Sequence, residues 1–347
     1  MTAKRTYFLL GLGALIVLAL GFWLASTNQP EEIVDSGLFP VNVGYNAQSI
    51  GNVSIILAQE MGYFEDHGLS VQLLPLKSGS EVRQALVSGQ VDLGLAGFTN
   101  FLNVMSQGAP LRVITTTIAS PSYVFVRPDG ELRNLSDLVG HDVVAGGTTN
   151  LSLRQALKEQ GVDPSKVTIS NLDRSYQVTA LMDKKAVGAV LVSEQGVTDM
   201  VAAGAIILPE WDEKGYADRY MPRNSLVVNT DFLNQHEAEV RGFLAAMVDS
   251  QRLIRDNPDE AARLLCDHIR QVSGGALDYR PEDIVQTWRN GDISNMVWQD
   301  PTVAMGLADM AFETELIDHP LTMDEIFDLR FETELSAWQN EIYGAVD

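Results

Sequence analysis

Two segments decide the fold: QALVSGQVDLGLAG (84–97) and TALMDKKAVGAVLVSE (179–194). Each reads as the end of a helix, a tight turn and a short buried strand. They correspond piece by piece, the second carrying one extra turn residue. A short apolar strand behind a helix is the repeating unit of a largely parallel α/β sheet. Meeting the same unit twice, about a hundred residues apart, predicts two α/β lobes of equivalent plan.

The flanking sequence extends both units. In the first, VNVGYN (41–46) alternates as a strand, and a polar stretch leads into a helix over 54–63, read from Ile55, Leu57, Ala58 and Met61. Strand 71–76, helix 81–88, helix 99–107 and strand 111–118 follow, with Gly89, Gly108 and Pro110 as stops. In the second, strand 142–146 and the turn Gly147-Thr148-Thr149-Asn150 lead into a helix over 151–160. Strand 167–170, helix 176–183 and strand 187–192 complete it. SLVVNT (225–230) reads as one more strand. Helices over 237–257, 258–269, 281–290, 302–316 and 322–342, the last either continuous or broken, then run to the end. The expected organisation is a first lobe from 39–122 and 223–347 with a second lobe, 123–222, inserted in it.

Charge narrows the function. The 347 residues hold 24 Lys+Arg against 46 Asp+Glu, a formal charge of −22. Nucleic-acid partners need clustered cations, so none is expected. The acids are uneven: residues 278–347 contain 16 acids and three bases, a net of −13, and no lysine follows Lys214. A solvated acidic surface is the plain reading, and a face docking on something basic the sharper one. With one cysteine, no disulfide framework or multi-cysteine metal site can form.

The first residues set the compartment. Lys4 and Arg5 precede an uncharged apolar run over 7–25, about 28 Å as a helix and so about one bilayer core. The basic flank stays inside, placing the remainder outside the cytoplasm. An uncleaved N-terminal transmembrane helix (1–25) tethering the protein to the inner membrane is favoured over a cleaved signal peptide. The run is longer than a secretory core, and Ala25-Ser26-Thr27 is a poor cleavage site. Residues 26–38 then read as a tether.

The run LAQEMGYFEDHGLSVQLLPLKSGSEVRQALVSGQVDLGLAG (57–97), with LSDLVGHDVVAGGTTN (135–150), resembles the exported solute-binding proteins of ABC importers, in the family that binds taurine, alkanesulfonates, nitrate or thiamine pyrimidine precursors. The resemblance covers about 41–270. It implies a type II-like periplasmic-binding-protein fold whose lobes close on solute about two crossing strands, here near 120–123 and 222–228. It also implies an ABC permease as partner. Two features depart from the family pattern. The second-lobe strand Ala186-Val187-Gly188-Ala189 lacks the usual aspartate and following proline, and no lipid-anchored cysteine follows the apolar run.

Ligands in such sheets bind beyond the carboxyl ends of the strands, where helices begin. The residues nominated there are Asn46, Gln48, Ser49, Asn52, Thr99, Asn100, Thr116, Thr148, Thr149, Asn150 and Glu194. All but Glu194 are neutral hydroxyl or amide donors, and three of the loops open helices, whose free N–H groups favour an anionic head group. Glu194 either accepts from a ligand amine or faces solvent. Arg154, one turn into its helix, either reaches an anion or, the preferred reading, lies at the surface. Tyr45, Tyr123 and Tyr176 either stack on a ligand or, the preferred reading, pack in the core or at the rim.

No catalytic motif emerges. Cys266 sits inside a helical pattern as a buried thiol, the five histidines show no metal-ligand pairing, and there is no nucleophile elbow or Walker loop. The expectation is a non-enzymatic receptor with no metal or cofactor, capturing a small anionic organic solute of sulfonate or taurine type for an ABC importer. The alternative is a membrane-anchored accessory subunit of a larger complex with a repurposed cleft.

Overall fold

The computed structural model describes residues 37–47, 49–170, 172, 174–192, 195–216, 221–289, 294–295 and 298–344. The expected N-terminal helix, Gln48 and Glu194 lie outside them. The chain divides at Leu38/Phe39, and every element of the described residues lies in Phe39–Asp347.

In chain order the first elements are β1 (Phe39–Asn46), α1 (Val53–Glu60), α2 (Tyr63–Asp66), β2 (Leu69–Leu76), α3 (Gly79–Val87), β3 (Leu93–Gly97), α4 (Thr99–Ser106) and β4 (Leu111–Ser120). Then come β5 (Ser122–Val126), β6 (Asp142–Val144), α5 (Thr148–Glu159), β7 (Thr168–Ser170), α6 (Arg174–Met182), β8 (Gly188–Val192), α7 (Gln195–Ala202), β9 (Ile206–Ile207) and α8 (Pro209–Glu213). The chain continues through β10 (Met221–Asn229), α9 (Thr230–Gln235), α10 (Glu237–Asp256), α11 (Pro258–Val272), α12 (Pro281–Arg289), β11 (Ser294–Asn295), α13 (Thr302–Glu313), α14 (Met323–Ile326) and α15 (Glu332–Tyr343).

The strands form two sheets. The first runs β11-β4-β10-β3-β1-β2, with β1 parallel to β2 and β3, and β10 antiparallel to β3 and β4. The second runs β7-β6-β8-β5-β9, with β6 parallel to β7 and β8. Both sheets therefore carry the parallel core predicted from the paired segments. The chain passes from the first sheet to the second at Pro121, between β4 and β5, and β10 belongs to the first again.

Each sheet is covered on both faces, which explains its continuous apolar strands. In the first, Ile55, Ile56, Phe64, Phe243 and Leu265 pack one face, while Leu86, Phe101, Leu307 and Phe327 pack the other. In the second, Leu153 and Trp211 lie on one side and Leu181 and Met200 on the other. Trp211 is 1% exposed and donates its Nε1 to the Ser122 carbonyl at 2.6 Å, fixing α8 against the first strand beyond the crossing.

Several expected elements change. The helix over 54–63 splits at Gly62, whose φ of 76° breaks the turn. The stretch 322–342, expected as helix either continuous or broken, does break, into α14 and α15, because Phe327 bridges Val113 and Asp328 N–H donates to the Val113 carbonyl at 3.0 Å; the edge of β4 captures the backbone. SYVFV (122–126), not among the expected strands, is β5, antiparallel to β8 and β9. The stretch 222–228, near which the second crossing is expected, lies in β10, paired with β3 and β4 of the first sheet.

Candidate functional site

The carboxyl ends of β1, β3 and β6 carry three loops, and most of the nominated residues lie on them. The first is built by amides. Ser49 Oγ accepts from Gly51 N at 3.1 Å, and Asn52, 0% exposed, donates Nδ2 to the Asn46 carbonyl at 2.6 Å and the Ser49 carbonyl at 3.1 Å. Asn224 of β10 closes the net, donating Nδ2 to Asn52 Oδ1 and to the Gly51 carbonyl, both at 3.0 Å. A buried amide must satisfy its donors and acceptor, so Asn52 holds the loop's shape while Asn46 and Ser49 stand at its half-buried rim.

The second loop follows β3. Thr99 opens α4, and Asn100 Nδ2 donates to the Gly97 carbonyl at 3.0 Å. Arg83 Nη1 donates to the Asn100 carbonyl at 3.3 Å. A Cβ on Gly79 would lie 2.6 Å from Asn100 Nδ2, so Asn100 is wedged between α3 and its own loop. Thr116 is buried in β4, paired with Ser225 of β10, whose Oγ has no hydrogen-bond partner.

The third loop belongs to the second sheet. Thr149 Oγ1 donates to the Gly146 carbonyl at 2.8 Å and accepts from Gly146 N at 3.1 Å, closing the turn on itself. Gly147 precedes α5 with φ 52° and ψ −128°, a backbone region open mainly to glycine. Thr148 and Thr149 are each 6% exposed, and Asn150 Oδ1 accepts from Arg154 Nε at 2.8 Å. The second-sheet rim meets the first here: a Cβ on Gly147 would lie 3.7 Å from Thr99 Oγ1. Thr99 and the Gly147–Asn150 turn therefore face each other. Both stand at helix N-termini, where unpaired N–H groups and the dipole favour negative charge.

Two residues went unnominated. Asn224 sits between Arg223 and Ser225, just ahead of the stretch 225–230 that reads as a strand, and no local signal marks it as buried. Gln177 is 4% exposed in the first turn of α6; its Nε2 donates to the Leu172 carbonyl at 2.8 Å and its Oε1 has no partner. That carbonyl fixes which way the amide points, leaving a true free acceptor. Its signal was readable: Ala180 and Leu181, at i+3 and i+4, place Gln177 on the inward stripe. Tyr176 beside it is 62% exposed, whereas Tyr45 is buried in the first-sheet core.

Chemistry elsewhere is structural. Burial pushes the Cys266 thiol up to about 11, so it is not a thiolate at neutral pH. His268 lies between Tyr45 Oη (2.8 Å) and Glu60 Oε1 (3.2 Å), tying β1, α1 and α11. Among the described residues no group of three or more His, Cys, Asp or Glu could hold a metal ion. Among them, too, no helix is long and apolar enough to cross a membrane.

Known proteins share this architecture. The periplasmic aliphatic sulphonate binding protein SsuA of Escherichia coli superposes with a TM-score of 0.67 at 16% identity, covering 83% of this chain and 92% of that one. The taurine-binding periplasmic protein of E. coli K12 is 24% identical over 224 residues, 63% of this chain and 68% of that protein. A 4-amino-5-hydroxymethyl-2-methylpyrimidine phosphate synthase of Saccharomyces cerevisiae is 25% identical over 240 residues, 66% of this chain and 70% of that protein. The family model described as NMT1/THI5 like matches residues 50–261, more than half of the sequence, and the chain belongs to that family.

Proposed function

We propose that this protein is an extracytoplasmic solute-binding receptor. It captures a small anionic organic solute, of sulfonate or taurine type, between two lobes divided at 122/123 and 222/223, and delivers it to the permease of an ABC importer. The observation that carries this reading is the approach of Thr99 to Gly147: two helix N-termini on different sheets, bearing neutral hydroxyls and amides, converge on one space. Such a site needs no lysine to hold an anion. Capture needs no covalent chemistry. The set of residues touching solute is proposed to be Asn46, Gln48, Ser49, Thr99, Asn100, Thr116, Thr148, Thr149, Asn150 and Glu194, with Asn52 shaping the loop. If the apolar run over 7–25 stays attached, the receptor is held beside its permease, which raises the effective concentration for docking.

Isothermal titration of the purified protein with taurine, a short alkanesulfonate, nitrate and an aminopyrimidine tests the reading. A sulfonate is expected to bind with one-to-one stoichiometry and to raise the melting temperature. No response to any of the four would sink it.

A further inference from the structure

Farther along α5 from this rim, a groove of about 530 Å³ opens between helices of the two sheets. Arg154 and Lys158 of α5, with Val162 and Pro164 of the turn that follows, form one wall; Met310 and Glu313 of α13 form the other. At 1.5 Å per residue, Arg154 is about 9 Å and Lys158 about 15 Å along the helix from Thr148. The groove is therefore a separate place from the rim.

Its charges are not all satisfied. Lys158 Nζ bridges to Glu313 Oε1 across the groove. Asp163 accepts from Ser165 N at 3.0 Å and Ser165 Oγ at 2.7 Å. Arg154 differs: its Nε donates to the neutral Asn150 amide, it pairs with no carboxylate among the described residues, and burial holds its pKa below the ordinary arginine range. A half-buried guanidinium without a counter-charge is costly, and its planar fork matches a carboxylate.

We propose that the groove is a second binding site, for a small organic monoanion whose carboxylate sits on Arg154 and whose apolar body lies on Val162, Pro164 and Met310. The volume is in the range of small-molecule sites. Because the walls come from helices of both sheets, an occupant would favour one arrangement of the lobes. Through Arg154 it also touches Asn150 at the rim, so groove and rim would be coupled, with each ligand changing the other's affinity by the same factor.

The test uses the full chain labelled with [methyl-13C]methionine and benzoate as the probe. Benzoate is expected to shift the Met310 methyl resonance, assigned with Met310→Leu, in a saturable titration. Arg154→Gln is expected to weaken that titration by roughly tenfold or more, with Arg154→Lys between the two. Val162→Glu, which places a carboxylate in the groove without removing the arginine, is expected to abolish it as well, so the outcome does not depend on one variant folding. Thr99→Trp, which crowds the rim, is expected to leave the Met310 titration in place. A wild-type Met310 resonance that ignores benzoate overturns the proposal. So does a titration that survives Arg154→Gln and is lost in Thr99→Trp, which would assign the binding to the rim.

Discussion

Asn224 donates its side-chain amide to Asn52 Oδ1 at 3.0 Å, 172 residues away in sequence. Asn52 shapes the loop beyond β1, and Asn224 lies on β10, the strand on which the chain re-enters the first sheet. The rim loop is thus fastened to the strand next to one passage between the sheets.

Asn224→Ala leaves Asn52 Oδ1 and the Gly51 carbonyl buried and unmet, at an expected cost of about 1–3 kcal/mol. Asn52→Ala removes the side-chain donor to the Asn46 and Ser49 carbonyls, which keep their backbone N–H partners, and the acceptor of Asn224 Nδ2, at an expected cost of about 1–2 kcal/mol. In a urea-denaturation cycle the double variant is expected to lose clearly less than the sum of the two single losses. Strict additivity would show that the contact couples nothing.

How much of this was legible in the sequence follows from the range of the forces involved. Alternation, helix spacing and glycine stops are local, and they located the parallel cores of both sheets. Pairing across the chain is not local. SYVFV (122–126) becomes a sheet strand only because β8 and β9 flank it, and the break in the last helical stretch is set by β4, which captures Asp328. The candidate site divides in the same way: Thr99 and Thr148 were readable from strand ends, whereas Asn224 needed a partner that only folding supplies.

Tyr45 sets an alkaline limit on stability. It is 1% exposed, and burial first, then the Glu60 carboxylate, push its pKa from 10.0 up to about 12. Folded Tyr45 therefore resists deprotonation more than unfolded Tyr45 does. Its contribution is fully present below pH 10.0 and is lost as pH rises through about 12, a swing of about 2–3 kcal/mol. Tyr45→Phe is expected to flatten the fall of the urea midpoint across this window, while the wild type keeps it. Identical pH profiles would show that the phenol is not the group responsible.

Leu151 is a residue of α5 in the second lobe, yet it is 4% exposed in a cluster with Ala304, Leu307 and Ala308 of α13, which packs on the first sheet. Leu151→Ala is expected to cost about 2–5 kcal/mol, as for other buried leucines. Leu157→Ala, on the same helix but within the second-sheet core, should cost a similar amount. Small-angle scattering separates them: only Leu151→Ala is expected to increase the radius of gyration, because only Leu151 seats one lobe's helix on the other's. An increase in both, or in neither, would remove Leu151 from that role.

Gly147 offers the most direct test of the rim. Its φ of 52° and ψ of −128° resist any side chain, although a Cβ would meet only Thr99 Oγ1 at an ordinary 3.7 Å. The effect of Gly147→Ala is therefore backbone strain, about 1–3 kcal/mol, and relief of that strain turns Thr148–Asn150 away from Thr99. Gly161→Ala is the matched control, since it carries φ +72° in open space at the far end of the same helix. Both variants are expected to melt earlier than wild type. Only Gly147→Ala is expected to weaken sulfonate binding by calorimetry, by roughly tenfold or more. Equal loss of affinity in the two would trace the effect to general destabilisation, and the meeting of Thr99 with the Gly147 turn would no longer mark the solute site.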